Sequence, residues 1–316
     1  MGKEMENYSE EFMFVLHGLN DTSTNRHIYF AFGLLFYILT LFVNLMLIIT
    51  VILDKTLHEP MYLFICSLFV NGICGASAFY PKILADLLSD YHVISYTVCL
   101  AQTCVIFCYA LCELACLTVM AYDRYVAICK PLEYLCIMTH QKIVKLLAFS
   151  WLFSLLQTTI GAVLTVRLPL CGNHIDMLYC SNWEVVKLSC KDVTMMDMYG
   201  NILIIYHVSQ VIFVIVSYIH IIRTSLQSKA GRVKFMQTCL PHLITLTNFT
   251  VSLLFDIIYS RYVKSQTQQA LHNILGMEFL VVPPLLNPII YGMKLTQMRR
   301  QFVKIYWKSL KAVRQG

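Results

Sequence analysis

Apolar residues fall in seven long blocks along this chain: Ile28–Leu53, Met61–Pro81, Cys99–Tyr122, Leu146–Val166, Met198–Ile222, Thr238–Ile258 and Leu271–Met293. A helix crosses the hydrocarbon core of a bilayer with about 20 mostly apolar residues, and each block reaches that length. Barrel strands would be about 10 residues long and would alternate apolar with polar positions, which these blocks do not. The pattern predicts an all-α membrane protein, a seven-transmembrane-helix bundle over residues 28–293. A polar, acidic segment, residues 1–27, precedes it; this does not read as a cleavable signal peptide, so the first span is expected to act as its own insertion signal. In residues 294–316 bases alternate with Phe302, Ile305, Tyr306 and Leu310, the pattern of an amphipathic eighth helix lying on the inner leaflet.

Composition supports this reading. Of 316 residues 58% are hydrophobic and 13% charged, against about 25% charged in a soluble domain; the mean hydropathy is +0.65. Basic residues set the orientation. With the loop after the first span inside, sixteen Lys and Arg lie inside and eight outside, while Glu4, Glu6, Glu10, Glu11 and Asp21 crowd the first segment. The amino terminus is therefore expected outside and the carboxyl terminus in the cytoplasm, as in a multi-pass plasma-membrane protein. Asn7-Tyr8-Ser9 and Asn20-Asp21-Thr22 are then luminal glycosylation acceptors, whereas Asn248-Phe249-Thr250 lies inside a span. The net charge of +6 sits on the face next to anionic lipid, so membrane lipids, and not nucleic acid, are the expected polyanionic partner.

Polar groups within the spans are few, and each has two readings. Asp123-Arg124-Tyr125 closes the third span; it is either a helix end whose charges reach the headgroups or a switch. Glu113, deeper in that span, is either the charge of a sodium site or a carboxyl hydrogen-bonded inside the bundle. His207 and His242 are isolated, so no catalytic set forms and no enzyme is expected; no cofactor is expected either. Of thirteen cysteines, Cys99, Cys171, Cys180 and Cys190 are placed outside, where three disulfide pairings are open. Metal binding beside His174 is the weaker alternative, because no Cys-x-x-Cys spacing accompanies it. A transporter is the rival function, but internal repeats are absent and only Glu113 and Glu278 lie well inside the spans as ionised-type residues.

The run Met120 to Cys129 (MAYDRYVAIC), with Lys130-Pro131-Leu132 and Tyr134 following, resembles the end of helix three in vertebrate odorant receptors. These are rhodopsin-like G-protein-coupled receptors. Leu57-His58-Glu59-Pro60-Met61-Tyr62, Ser217-Tyr218, Lys234 through His242 (KFMQTCLPH) and Pro283 through Tyr291 (PPLLNPIIY) resemble further motifs of that family, in the same order. The likeness runs from about residue 10 to 305. The wording around Asn71-Gly72 and Phe79-Tyr80-Pro81-Lys82 is similar to that of fish odorant receptors. Departures include Asn71-Gly72 where most rhodopsin-like receptors carry an Asp that binds sodium, Thr250-Val251 in helix six, and Val43-Asn44 in helix one.

The resemblance implies a receptor that binds a small odorant within the bundle and activates a heterotrimeric G protein, the stimulatory olfactory type that raises cAMP. It implies disulfides Cys99–Cys180 and Cys171–Cys190, which fix the long outer loop as a lid. Helical spacing places Ile106, Phe107, Ala110 and Leu111 on one face. The likeness turns that face to the pocket, with Ile202 and Tyr206 from helix five, Leu253, Ile257 and Arg261 from helix six, and Met277 and Leu280 from helix seven. No carboxylate faces the pocket at the depth of Ile106 to pair an amine, and helix seven has no lysine for a retinal Schiff base. The pocket is therefore expected to be apolar, with Tyr206 as polar handle. Arg261 either grips a carboxylate or pairs with Asp256 or water; the first reading implies an acidic or amino-acid-like, water-borne odorant. Coupling residues by the same likeness are Asp123, Arg124, Tyr125, Tyr218, Lys234, Asn287, Pro288 and Tyr291. Asp123 is expected to hold Arg124 until helix six moves, and Pro288, without an amide hydrogen, loosens helix seven.

Overall fold

The computed structural model describes residues 12–17, 23–262 and 275–294. Six helices long and apolar enough to cross a membrane occur among them: α1 (Ser23–Leu53), α2 (Pro60–Leu88), α3 (Tyr96–Cys129), α5 (His140–Val166), α7 (Thr194–Ser225) and α8 (Lys229–Tyr262). The seventh, α9, is described over Glu278–Lys294; residues 263–274, where its expected outer end falls, lie outside the described residues. So do Asn7, Asn20 and the expected eighth helix. Two short helices sit in loops, α4 (Tyr134–Ile137) and α6 (Asn182–Lys187). The seven apolar blocks are thus the seven long helices, most extended by a turn or two beyond their apolar cores.

Helix starts follow capping chemistry. Ser95 Oγ accepts from the Val98 amide at the head of α3, and Thr139 Oγ1 from that of Lys142 at the head of α5. Pro60 opens α2 at the position where a missing N–H costs nothing. Their packing makes α3 the central helix: 72% of its most apolar stretch is buried, against 28% for α1 and α5 and 17% for α7. The outward faces of the others carry Phe32, Phe42, Leu152, Ile205 and Ile215, all more than half exposed or close to it, as lipid contact requires.

A three-stranded sheet on the outer side was not foreseen. Strand β1 (Met13–Leu16) pairs antiparallel with β2 (Val93–Ser95) and parallel with β3 (His174–Ile175), in the order β2-β1-β3. Phe14, Leu16, Ile94 and Ile175 point from it into the core. Residues 12–17 of the amino-terminal segment are therefore docked on the bundle.

Proline shapes α9, and neighbouring helices repair what it breaks. Pro283 and Pro288 have no N–H for the carbonyls four residues before them, those of Phe279 and Pro284. Tyr109 Oη of α3 donates to the Phe279 carbonyl at 2.8 Å, and Asn44 Nδ2 of α1 to that of Pro284 at 2.8 Å. Gly75 makes room for the first of these, since a Cβ there would fall 2.6 Å from the Tyr109 ring. In hydrocarbon no water can substitute for such donors. Removing the hydroxyl in Tyr109→Phe should cost roughly 1–3 kcal/mol, read as a thermal unfolding midpoint lowered by a few degrees in detergent. Adding Pro283→Ala, which returns an N–H to the Phe279 carbonyl, should recover much of that loss.

Candidate functional site

The outer half of the bundle encloses a cavity of about 310 Å³ between α3, α7, α8 and the loop that carries α6, within the usual size range for a small-molecule site. Cys99 at the head of α3 is bonded to Cys180, and Cys171 to Cys190. The first bond pins the loop over the bundle, so that Tyr179, Ser181, Asn182 and Trp183 roof the cavity. Thr103 Oγ1 donates to the Cys180 carbonyl, and the Cys180 amide to Gln102 Oε1, which holds the lid at its centre. Both outer sulfur pairs being disulfides, the metal alternative at Cys171 and Cys180 lapses. Among the described residues no three His, Cys, Asp or Glu side chains group as metal ligands.

The walls are almost wholly apolar. Ile106, Phe107, Ala110 and Leu111 of α3 line them, as do Leu253, Ile257 and Arg261 of α8. The other four expected residues do not. Ile202 is 60% exposed on the lipid side; Tyr206 packs at a tilt against Phe153 of α5, ring centroids 5.5 Å apart. The α7 wall is built instead from Met196, Tyr199, Gly200, Leu203, Ile204, His207 and Val211, one residue out of phase with the expectation. Leu280 is fully buried in the core and Met277 packs against that core, while among the described residues of α9 Phe279 lines the cavity. An apolar helix buried on one side and lipid-covered on the other has no polar face to fix its rotation.

At the cavity rim Arg261 is nearly buried. Its Nη1 donates to Asp197 Oδ1 (3.0 Å) and Asn201 Oδ1 (3.3 Å), both on α7, and its guanidinium lies 4.3 Å from the Trp183 ring. Gly200 permits that approach, because a Cβ there would stand 1.8 Å from Arg261 Nη2. The salt bridge is to Asp197, a partner that neither reading of Arg261 named; Asp256 accepts from Tyr179 Oη of the lid at 3.5 Å.

Below the cavity lies a buried polar layer. Glu113 Oε2 accepts from Asn71 Nδ2 of α2 (2.8 Å) and Oε1 from Asn287 Nδ2 of α9 (2.7 Å). Asn71 Nδ2 also donates to the Tyr109 carbonyl, which fixes the orientation of its amide. Both carboxyl oxygens therefore meet donors, and a cation there would need acceptors where these amides present N–H. Sequence reading missed this role of Asn71 and the two-helix reach of Asn44 and Tyr109.

The inner end holds the expected coupling residues. Asp123 Oδ2 accepts from Arg124 Nε at 3.0 Å, with a second, shorter contact from Arg124 Nη2. Asp123 Oδ1 accepts from Tyr134 Oη of α4 at 2.8 Å. Burial and the adjoining Asp123 carboxylate raise the Tyr134 phenol well above its usual pKa, so it remains the donor. Tyr125 packs edge-on against His220 of α7. His242, at the start of the outer two-thirds of α8, donates from Nε2 to the Leu117 carbonyl of α3 (3.0 Å) and accepts at Nδ1 from Tyr218 Oη of α7 (2.5 Å). Tyr291 meets Thr245 of α8 at 2.9 Å. These bonds tie α8 to α3, α7 and α9. The Lys234 side chain lies outside the described residues.

A seven-helix bundle with a lidded apolar cavity on one side and an Asp-Arg-Tyr lock on the other has the architecture of a rhodopsin-like receptor. The crystal structure of squid rhodopsin matches it with a TM-score of 0.71, covering 90% of this chain and 81% of that one, at 15% sequence identity, a likeness of fold. Residues 32–309 match the family model described as olfactory receptor. The chain is 36% identical to human (Homo sapiens) olfactory receptor 4E1 over 92% of both chains. It is likewise 36% identical to mouse (Mus musculus) olfactory receptor 4B13, over 93% of this chain and 96% of that one. The chain therefore belongs to the olfactory receptor family: it is a multi-pass plasma-membrane, G-protein-coupled receptor for odorants, not an enzyme.

The Tyr134 hydroxyl helps hold Asp123 against Arg124, so its removal favours the released state. Tyr134→Phe should raise agonist-independent G-protein activation about fivefold if the bond contributes about 1 kcal/mol to the resting state, at equal surface expression; unchanged basal output would separate α4 from the lock.

Proposed function

We propose that the odorant binds in the cavity beneath the disulfide-tied lid and that its binding shifts the bundle toward an arrangement in which the inner end of α8 swings outward. The observation that carries this is the vertical order of the parts. A lidded apolar cavity bordered by α8 lies above the buried bonds that tie α8 to α3, α7 and α9. A ligand that alters how α8 packs at the cavity alters the strain on the His242 and Thr245 contacts below. Release of α8 then frees Arg124 from Asp123 to meet a G protein of the stimulatory olfactory type, raising cAMP. The amino terminus lies outside with Asn7 and Asn20 glycosylated, the carboxyl terminus inside, and the apolar outer faces are covered by membrane lipid.

Arg261 makes an acidic odorant the finer reading. It is a cation on the cavity rim, and the side chain of its partner Asp197 is 50% exposed, so a ligand carboxylate can take that place while Asp197 returns to water. A bidentate carboxylate pair is worth more than the half-exposed bridge it replaces. The apolar walls suit an acid with a hydrocarbon body better than a free amino acid. Arg124→Ala should abolish odorant-driven cAMP with surface expression intact. Arg261→Ala should raise the half-maximal concentration of acidic agonists about tenfold or more and spare uncharged ones; equal responses of wild type and Arg261→Ala to every acid would overturn the acidic reading.

A further inference from the structure

Three residues of the cavity wall carry a buried polar atom without a hydrogen-bond partner: Trp183 Nε1 of the lid, His207 Nε2 and Thr250 Oγ1. His207 Nε2 on α7 and Thr250 Oγ1 on α8 are buried, lack any hydrogen bond, and belong to residues of the cavity wall. Ser217 on α7 and Ser252 and Ser260 on α8 return their hydroxyls to the carbonyl four residues back; Thr250 does not. A buried polar atom left unpaired is costly, and both belong to residues that line the cavity.

The chemistry of His207 follows from its neighbours. Gln210 Nε2 donates to Tyr206 Oη at 3.1 Å, which turns Gln210 Oε1 toward His207 Nδ1 at 2.8 Å. An amide oxygen only accepts, so Nδ1 carries the ring proton and the neutral ring offers Nε2 as a lone pair. Tyr206, expected as the polar handle, thus acts at one remove by orienting Gln210. Thr250 stands at nearly the same depth. Arg261–Asp197 at the outer end and Tyr218–His242 at the inner end fix the antiparallel register of α7 and α8, and that register sets Thr250 within about one helical turn of His207.

We propose that His207 and Thr250 form a hydroxyl-recognition pair. It takes an alcohol or phenol whose O–H donates to His207 Nε2 and whose oxygen accepts from Thr250 Oγ1, the hydrocarbon body filling the apolar walls. An ether or hydrocarbon leaves Nε2 unpaired, and a ketone brings a second lone pair against it. The pair is independent of the acidic reading of Arg261 but rests on the cavity being the odorant site.

The test is a cAMP dose-response in cells expressing the full-length receptor, with straight-chain primary alcohols and simple phenols, each run beside its methyl ether and a ketone of similar size. The expected result is a response to alcohols or phenols at concentrations at least about tenfold lower than to their isosteres, since a site built to pair a hydroxyl rejects analogues without one. His207→Phe should erase that distinction. Thr250→Val, which removes only the hydroxyl and keeps the shape, should narrow it, and serves should His207→Phe fail to reach the surface. No response to any alcohol or phenol, equal potency of ethers, or a distinction that survives both substitutions would overturn the proposal. So would a preference for ketones, the outcome of a Gln210 amide turned the other way. Ala110→Trp, which fills the cavity, separates the two levels. Alcohol responses that persist in that variant sink the cavity as odorant site and the pair with it. Responses lost in Ala110→Trp but blind to the hydroxyl sink the pair alone.

Discussion

The fold turns on one buried carboxyl. Glu113 sits in the most enclosed part of the central helix and receives an amide N–H from α2 on one oxygen and from α9 on the other. In a bilayer every polar group must be satisfied inside the protein, so this carboxyl and the two asparagines specify one another. That constraint draws α2, α3 and α9 to a single register. The same rule governs the layers around it. Tyr109 and Asn44 complete the carbonyls that Pro283 and Pro288 orphan, and His242 completes the carbonyl of Leu117. Apolar packing holds helices together with little preference for rotation or depth; these bonds supply the preference.

The polar layer also divides the receptor into two functional halves. Above it the helices α3, α7 and α8 part enough to leave a cavity, and the disulfide at Cys99 keeps the lid over it. Below it α8 is tied by two side-chain contacts, from His242 and Thr245, and Asp123 shields Arg124. α8 borders the cavity at its outer end and carries the His242 and Thr245 bonds toward its inner end. A small change in outer packing can therefore be converted into a two-state change at the inner end, because close-packed interfaces shift between discrete arrangements and do not deform smoothly.

Sequence alone revealed the seven helices, since span length is set by bilayer thickness and apolar blocks are unmistakable. Helical spacing grouped Ile106, Phe107, Ala110 and Leu111 on one face of α3, and the family likeness turned that face to the cavity they line. That likeness failed for α7 and α9, whose apolar residues serve lipid and bundle alike; Ile202 and Tyr206 were placed one residue out of phase with Gly200, Leu203 and His207. The signal that would have corrected this was His207 itself, because a polar residue in an apolar span turns inward. The sheet was illegible for another reason. Its strands are two to four residues long, and β1 pairs with residues some 80 and 160 positions away, so no local pattern announces it.

The most direct measurement of the central claim is the thermal unfolding midpoint of purified receptor carrying Glu113→Leu, compared with Glu113→Gln and wild type. If the carboxyl is the tie, Glu113→Leu strands two buried amides at roughly 1–3 kcal/mol each and lowers the midpoint by many degrees, while Glu113→Gln, which keeps an acceptor for Asn71 and a polar partner for Asn287, stays close to wild type. A Glu113→Leu receptor as stable as wild type would show that apolar packing alone sets the register of these helices.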